Sequence, residues 1–530
     1  MSLISVQNLS FAYGNDFIFQ NASFRIDTNW KIGFVGRNGR GKTTFLRLLM
    51  GEMAYGGTIE TSESFDYFPF SMPDGIAMEV IKNRVAPFSQ WESDMEHALS
   101  IGDLEQFGEI QELYQANDGY CIEELIIKEA NKLGLPESIL KREFDTLSYG
   151  EQTKLMLAAL FLRKNRFLLI DEPTNHLDME GRRIVAKYLS GKQGFILVSH
   201  DRKFLDNCVD HILSINKNTI EVIAGNYSLW QGNKDRQDRY ELEQEGQLKK
   251  EIRRLEKTKK EKAAWSDAAE RRKIGFDPVK TEKSLTRRPN EGAKAKKLMK
   301  RAKAVQARQD AAIEEKTKLL HNIESAEDLK IHVLPAKQSK LLQLKEVCIN
   351  YGARPLFLPL DLTVLEGDRI ALSGPNGCGK SSLLRLILGH TIPHTGQVQI
   401  TNRTIVSYVP QSTSHLAGTL KEYAGQMGID ETLFKTILRK LDFSRELFDK
   451  KIELFSAGQK KKVLLAGSLA QPAHLFIWDE PLNYIDVLSR IQIENLLREF
   501  QPTMIFVEHD EVFCQNTANR MILLSNKKDA

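Results

Sequence analysis

Two short runs have the residue types and spacing to hold a nucleotide's phosphates: Gly36-Arg-Asn-Gly-Arg-Gly-Lys42-Thr43 and Gly374-Pro-Asn-Gly-Cys-Gly-Lys380-Ser381. Closely spaced glycines let backbone N–H groups wrap a phosphate, and a helix opening at the lysine adds a favourable dipole. The candidate phosphate ligands are Gly36, Asn38, Gly39, Gly41, Lys42, Thr43 and Thr44 in the first run. Gly374, Asn376, Gly377, Gly379, Lys380, Ser381 and Ser382 are their counterparts. Lys42 and Lys380 are expected to reach the β- and γ-phosphates, with Thr43 and Ser381 on Mg²⁺. Further along, Asp171-Glu172 and Asp479-Glu480 each end an apolar run. The aspartates suit Mg²⁺, and the glutamates suit a general base that polarises an attacking water. His200 and His509 follow a third apolar run in each half and are candidates for contact with the γ-phosphate.

These elements recur in one order. Lys42 and Lys380 are 338 residues apart, Ser148 and Ser456 308, Glu172 and Glu480 308, and His200 and His509 309. The chain is therefore one domain written twice, and the first copy has 30 extra residues before Ser148. Each glycine-rich run follows an apolar strand (Lys31–Val35, Arg369–Ser373) and opens a helix. Strands alternating with helices predict an α/β fold with a parallel sheet in each copy. The expected domains are 1–230 and 336–530, with residues 231–335 between them as a long charged helical hairpin.

Charge is unevenly placed. Residues 249–308 hold 22 Lys/Arg against 8 Asp/Glu, whereas the whole chain has a net charge of only +4. A basic segment between acidic domains implies a polyanionic partner for that segment alone. Its expected tip carries Arg271, Arg272, Lys273, Lys280, Lys283, Arg287 and Arg288, the candidate RNA contacts, with Phe276 and Leu285 among them. No apolar run approaches the roughly 18 residues that span a bilayer, so no membrane association is expected. Met1-Ser2-Leu3-Ile4 lacks a secretory pattern, and Cys121, Cys208, Cys348, Cys378 and Cys514 lack disulfide or metal spacing. A reducing cytoplasm is the expected location.

The motif set resembles the ATP-binding cassette superfamily, with Ser148-Tyr-Gly150-Glu151 and Ser456-Ala-Gly458-Gln459 as the discriminating elements. The resemblance implies ATP and Mg²⁺ as ligands, each ATP lying between the glycine-rich loop of one domain and the Ser-x-Gly element of the other. Ser148, Gly150 and Glu151 would then face the nucleotide on Lys380, and Ser456, Gly458 and Gln459 the one on Lys42. It also implies an adenine-stacking role for Tyr13 and Tyr351, a link between the sites through Asp178 and Asp486, and a Mg²⁺- and water-sensing role for Gln411. Phe70 stands where the first domain would carry that glutamine, and a phenylalanine ring offers neither a metal ligand nor a hydrogen bond. The site on Lys42 is therefore expected to turn over more slowly.

Two fused cassettes around a long basic linker resemble the ABC-F translation factors, with Gly225-Asn-Tyr-Ser228 leading into the linker. Asn29-Trp-Lys31, the linker length and a short arm, expected within 89–118, most resemble the Lsa-type antibiotic-resistance branch. That resemblance implies a monomer with intramolecular cassette pairing that binds the 70S ribosome near the E site. Its linker would meet 23S rRNA and P-site tRNA and displace lincosamides, pleuromutilins and streptogramin A. The rival readings are a housekeeping ABC-F factor that relieves stalled ribosomes, an energy subunit for membrane permeases, and a nucleic-acid-repair ATPase.

Overall fold

The computed structural model describes residues 2–14, 16–175, 177–215, 220–237, 329–335, 339–351 and 354–525, with isolated positions between 239 and 257. Most of the expected hairpin, and all of its basic candidates, Arg271, Arg272, Lys273, Lys280, Lys283, Arg287 and Arg288, lie outside the described residues. The chain divides into one compact unit of residues 1–230 with 326–530 and a second of residues 231–325.

Each half of the first unit is built on a parallel sheet. In the first half the strand order is Ser64–Phe68, Arg166–Asp171, Phe195–Val198, Lys31–Val35, His211–Ile215, Ile220–Ala224. All neighbours run parallel except the last pair. The second half has Val406–Val409, Leu475–Asp479, Met504–Val507, Arg369–Ser373 and Arg520–Leu523, parallel throughout. The inner strands are apolar without alternation because both faces are covered, one by helices and the other by the helix after the glycine-rich loop together with a second layer of strands: Phe195–Val198 and Met504–Val507 are buried at every position. In both sheets the strand before the glycine-rich loop is flanked by strands that come later in the chain. Its carboxyl end is thus the crevice where open α/β sheets place ligands.

A second, antiparallel layer was not expected from the sequence. Leu3–Tyr13 pairs with Asp16–Asp27 and Gly56–Glu60, and Lys340–Tyr351 pairs with Leu360–Leu365 and His394–Ile400. Its long strands hide their period-two pattern behind a bulge. Ile4 and Val6 are buried, the alternation slips at Gln7 and Asn8, and Leu9 and Phe11 resume it. Asn8 (φ 51°) and Glu346 (φ 48°) take the left-handed backbone at the two equivalent slips.

The extra residues of the first half form two helices, Phe88–Ile101 and Leu104–Ala116. They lie between Ala77–Val85 and Ile122–Lys132, whereas in the second half Leu420–Met427 leads directly to Glu431–Lys440. Gly102 (φ 77°) ends the first added helix, and Asp103 caps the second by accepting from Gln106 N–H at 3.0 Å. Tyr114 anchors the pair: its ring meets Phe88 edge-on, and its hydroxyl donates to Glu92, which also pairs with buried Lys82 at 2.8 Å. Among the described residues no helix is long and apolar enough to cross a membrane.

Candidate functional site

The two glycine-rich loops have the same geometry. Gly41 (φ 90°) and Gly379 (φ 98°) stand in left-handed backbone just before the helices Lys42–Leu49 and Lys380–Ile387. A Cβ at Gly41 would strike Ile18 and one at Gly379 would strike Leu356, so only glycine turns the chain there. Lys42 Nζ donates to the carbonyls of Gly36 (2.7 Å) and Arg37 (3.1 Å), and Lys380 Nζ to those of Gly374 (2.7 Å) and Pro375 (2.9 Å). Each lysine thus lies folded over its own loop, at the mouth of the ring of backbone donors. Burial holds the Lys42 ammonium below its usual range.

Beside each lysine stands an oxygen set. Thr43 Oγ1 donates to Asp171 Oδ2 at 2.8 Å, and Tyr67 Oη donates to the same oxygen at 3.1 Å. Both carboxylate oxygens of Asp479 are buried with no hydrogen-bond partner among the described residues, although Ser381 is beside them. Burial pushes the Asp479 carboxyl up to about 6. A buried carboxylate beside a hydroxyl, with the Gln411 side chain lining the same cavity, offers an all-oxygen set that suits Mg²⁺, which keeps its remaining positions for water and phosphate. The residues therefore fit that ion.

The adjacent glutamates differ in ways the motif does not show. Both take left-handed backbone, Glu172 at φ 52° and Glu480 at φ 46°, and both donate N–H to the neighbouring strand, to Val198 and Val507. Burial works to raise the Glu480 carboxyl, but hydrogen bonds from His509 and Gln411 hold it down at about 2. Asn483 Nδ2 adds a donor at 2.6 Å. The Glu172 carboxyl is pushed up to about 8 by burial and by the charge of Asp171. Its Oε1 has no hydrogen-bond partner among the described residues; His200 Nε2 is 3.4 Å from it, much as His509 Nε2 is 3.5 Å from Glu480, and the His200 backbone N–H works to lower the Glu172 carboxyl. Burial holds both histidines below the usual imidazole range.

Each loop faces the other half of the chain across a cavity. Ser148 caps the helix Tyr149–Leu162 by accepting from Glu151 N–H, and Ser456 caps Ala457–Ala470 by accepting from Gln459 N–H. A cavity of about 480 Å³ brings Ser148, Tyr149 and Gly150 opposite Asn376, Gly377, Gly379, Lys380, Ser381 and Ser382, with Tyr351, Gln411, Glu480 and His509 in its wall. A larger one, about 840 Å³, brings Ser456, Gly458 and Gln459 opposite Asn38–Thr44, with Tyr13, Asp171, Glu172 and His200. Tyr13 and Tyr351 are half exposed, with their hydroxyls 3.4 Å from Thr44 and Ser382. Glu151 is turned away, its carboxylate held by the Ser148 N–H and hydroxyl at 2.8 Å. Phe70 is not in the cavity wall. It is half-buried and packs against the helical core beneath the Arg84 guanidinium, 4.1 Å from its ring.

The halves touch closely between the cavities. Asn38 Nδ2 donates to Tyr484 O at 2.8 Å, and Asn376 N–H to Asp178 Oδ2 at 3.3 Å. A Cβ on Gly458 would come within 2.6 Å of the Tyr484 carbonyl in its own half and 3.3 Å of Asn38 Nδ2 from the other. Asp486 caps the helix Val487–Phe500 and pairs with Lys462 at 3.1 Å. Sequence reasoning missed the ion pairs across the interface: Arg202 with Glu494 (2.7 Å), and Arg183 and Lys203 with Glu511 (2.9 and 2.8 Å). It also missed Arg182 and Arg490, buried against Asp201 and Asp510. Their recurrence four residues after Asp178 and Asp486 was the available signal.

A family model described as ABC transporter matches residues 19–175 and 357–483, more than half of the chain. The Bacillus subtilis ABC transporter ATP-binding protein YfmM is 27% identical over 98% of this chain and 97% of its own length. ABC transporter F family member 2 of Arabidopsis thaliana is 25% identical over 98% of this chain and 76% of its own. Among solved structures, the archaeal ribosome recycling factor aABCE1, in complex with the stalk protein aP1, shares the fold. Its TM-score is 0.56 at 17% identity, over 97% of this chain and 87% of that one. The chain belongs to the ABC transporter family, as an ABC-F-like ATPase with tandem ATP-binding domains.

Proposed function

We propose that the chain is a translation factor that binds the ribosome and acts on stalled or non-productive ribosomes, with ATP as its switch. Residues 1–230 and 336–530 are the two cassettes and 231–335 the effector linker. The observation that carries this reading is that both composite cavities are completed within one chain while a strongly basic segment lies between the halves. A basic segment of that length matches the dense phosphates of structured RNA, and a ribosome recycling factor is built on the same fold.

In this reading Lys42 and Lys380 leave their loop carbonyls for the β- and γ-phosphates, and Ser148, Gly150, Ser456 and Gly458 close on the nucleotide from the opposite half. Mg²⁺, when bound, neutralises phosphate charge and would be held by Thr43 and Asp171 in one site and by Ser381, Asp479 and Gln411 in the other. Glu480, ionised and held by His509, Gln411 and Asn483, orients the attacking water and takes its proton. Glu172, whose carboxyl is raised by burial and by Asp171, is ionised less of the time at neutral pH and is the weaker base. ATP thus favours the closed clamp, and the effect on the ribosome is as large as the difference in ribosome affinity between the closed and open forms.

Protection against lincosamides, pleuromutilins and streptogramin A is the second reading, supported by Asn29-Trp-Lys31 and the length of the basic segment. Two experiments test them in turn. Glu172→Gln/Glu480→Gln chain is expected to retain intact 70S ribosomes in a pull-down, and recovery of membranes without ribosomes would overturn both readings. Expression in a drug-sensitive host then decides between them, since only the second predicts reduced lincosamide susceptibility.

A further inference from the structure

The two cavities differ in what the opposite half contributes. The smaller receives the Ser-x-Gly helix end and Arg182 from the first half. The larger also receives Arg439, Asp442 and Ser444, at the end of the helix Glu431–Lys440 and the turn after it. Their counterparts, 308 residues earlier, are Asn131, Gly134 and Pro136, and none of these lines the smaller cavity.

The turn itself is the same in both halves. Gly134 N–H donates to Asn131 O and Leu135 N–H to Ala130 O, each at 3.0 Å; Asp442 N–H donates to Arg439 O and Phe443 N–H to Leu438 O, also at 3.0 Å. These are matching helix-terminating turns whose middle residue must be left-handed, Gly134 at φ 70° and Asp442 at φ 60°. Glycine meets that requirement without strain, whereas aspartate pays about 1 kcal/mol for it. The backbone gains nothing from the exchange, so the gain lies in the carboxylate. Asp442 lines the larger cavity, and its carboxylate stands 3.5 Å from the guanidinium of Arg37, a loop residue whose counterpart is Pro375.

We propose that Arg439, Asp442 and Ser444 form a wall that recognises the sugar of the nucleotide bound at Lys42, supplied by the second half and absent from the site at Lys380. The inference rests on the nucleotide-binding reading above. An acidic acceptor is repelled by the triphosphate, so among the parts of a nucleotide it suits the neutral donors, and the paired ribose hydroxyls are the natural match. Ser444 can donate or accept beside it, and Arg37 holds the carboxylate at the cavity rim. Tyr13, from the first half, lines the same cavity.

The test uses the full chain with one loop lysine removed at a time, so that each site is read alone. ATP and 2′,3′-dideoxy-ATP are titrated by calorimetry. With Lys380→Ala, dideoxy-ATP is expected to bind about tenfold more weakly than ATP, the loss due to hydrogen bonds to a charged acceptor. With Lys42→Ala, the two nucleotides should agree within about twofold, since that site has no such wall. Adding Asp442→Gly, which the turn accepts without strain, should collapse the tenfold difference while ATP still binds. Equal discrimination at both sites would overturn the proposal. So would an Asp442→Gly chain that weakens both nucleotides alike, because the carboxylate would then serve only the Arg37 contact. Failure of ATP to bind either site would defeat the nucleotide reading itself, and this proposal with it.

Discussion

Removing one glutamate at a time should expose a large inequality between the two ATP sites. The Glu480 carboxyl is held at about 2 by His509 and Gln411, so it is ionised throughout the neutral range. The Glu172 carboxyl stands at about 8, raised by burial and by Asp171. At pH 7 it is one unit below that value and carries its charge about one-tenth of the time. If ionised glutamate is the working base, Glu480→Gln should leave about a tenth of the turnover at pH 7, and Glu172→Gln about nine-tenths. The sign with pH follows. Between pH 7 and 8 the ionised fraction of Glu172 rises from about a tenth to a half, so the residual rate of Glu480→Gln should climb about fivefold. Over the same range Glu172→Gln should stay flat. Phosphate release at saturating ATP, from pH 6.5 to 8.5, reads both variants. Equal residual rates at pH 7, or a Glu480→Gln rate that does not rise with pH, would refute the reasoning.

The other expectations concern how the sites are held. Arg202→Met leaves Glu494 buried at the interface without its arginine and should cost about 3–5 kcal/mol; melting curves should show Arg202→Met/Glu494→Gln recovering most of it. Burial works to raise the Glu129 carboxyl, yet Lys132, Lys192 and Tyr188 hold it at about 2 against an ordinary 4.5. Its stabilisation is therefore complete above pH 4.5 and is lost as the pH falls from 4.5 towards 2. Allowing for the solvent that reaches Lys132, Glu129→Gln should remove about 1–2 kcal/mol of stability at pH 7 and flatten the acid limb of a denaturation series. Lys461 is buried, and its Nζ donates to the Pro410 carbonyl at 2.9 Å, just before Gln411; Thr153 stands at its place in the first half. In a Glu172→Gln background, Lys461→Met should lower kcat about tenfold with little change in KM, through misplacement of Gln411. An unchanged kcat would show that Gln411 needs no such support.

The parts of the fold that could be read from the residues are those written as local patterns. Lys31–Val35 and Arg369–Ser373 are short apolar runs stopped by glycine loops, so strand, turn and helix followed from one stretch of sequence. The antiparallel layer was hidden because the bulges at Asn8 and Glu346 break the alternation that would have announced it. The opposition of Ser-x-Gly element and loop came from resemblance, since no spacing within one half says what the other half presents to it. The ion pairs of Arg202 and Asp442 were out of reach for the same reason: their partners are 292 residues later and 405 residues earlier in the chain. The glutamates show the limit most sharply. Asp171-Glu172 and Asp479-Glu480 are the same two letters at the same place in a repeated text, yet one glutamate is held protonated and the other ionised. Burial and the Asp171 charge raise Glu172, and on the other side His509 and Gln411 lower Glu480; Phe70, at the place of Gln411, packs against the core under Arg84 and gives Glu172 no such donor. A duplicated motif therefore fixes which atoms are present, and the residues outside the motif decide which of those atoms can work.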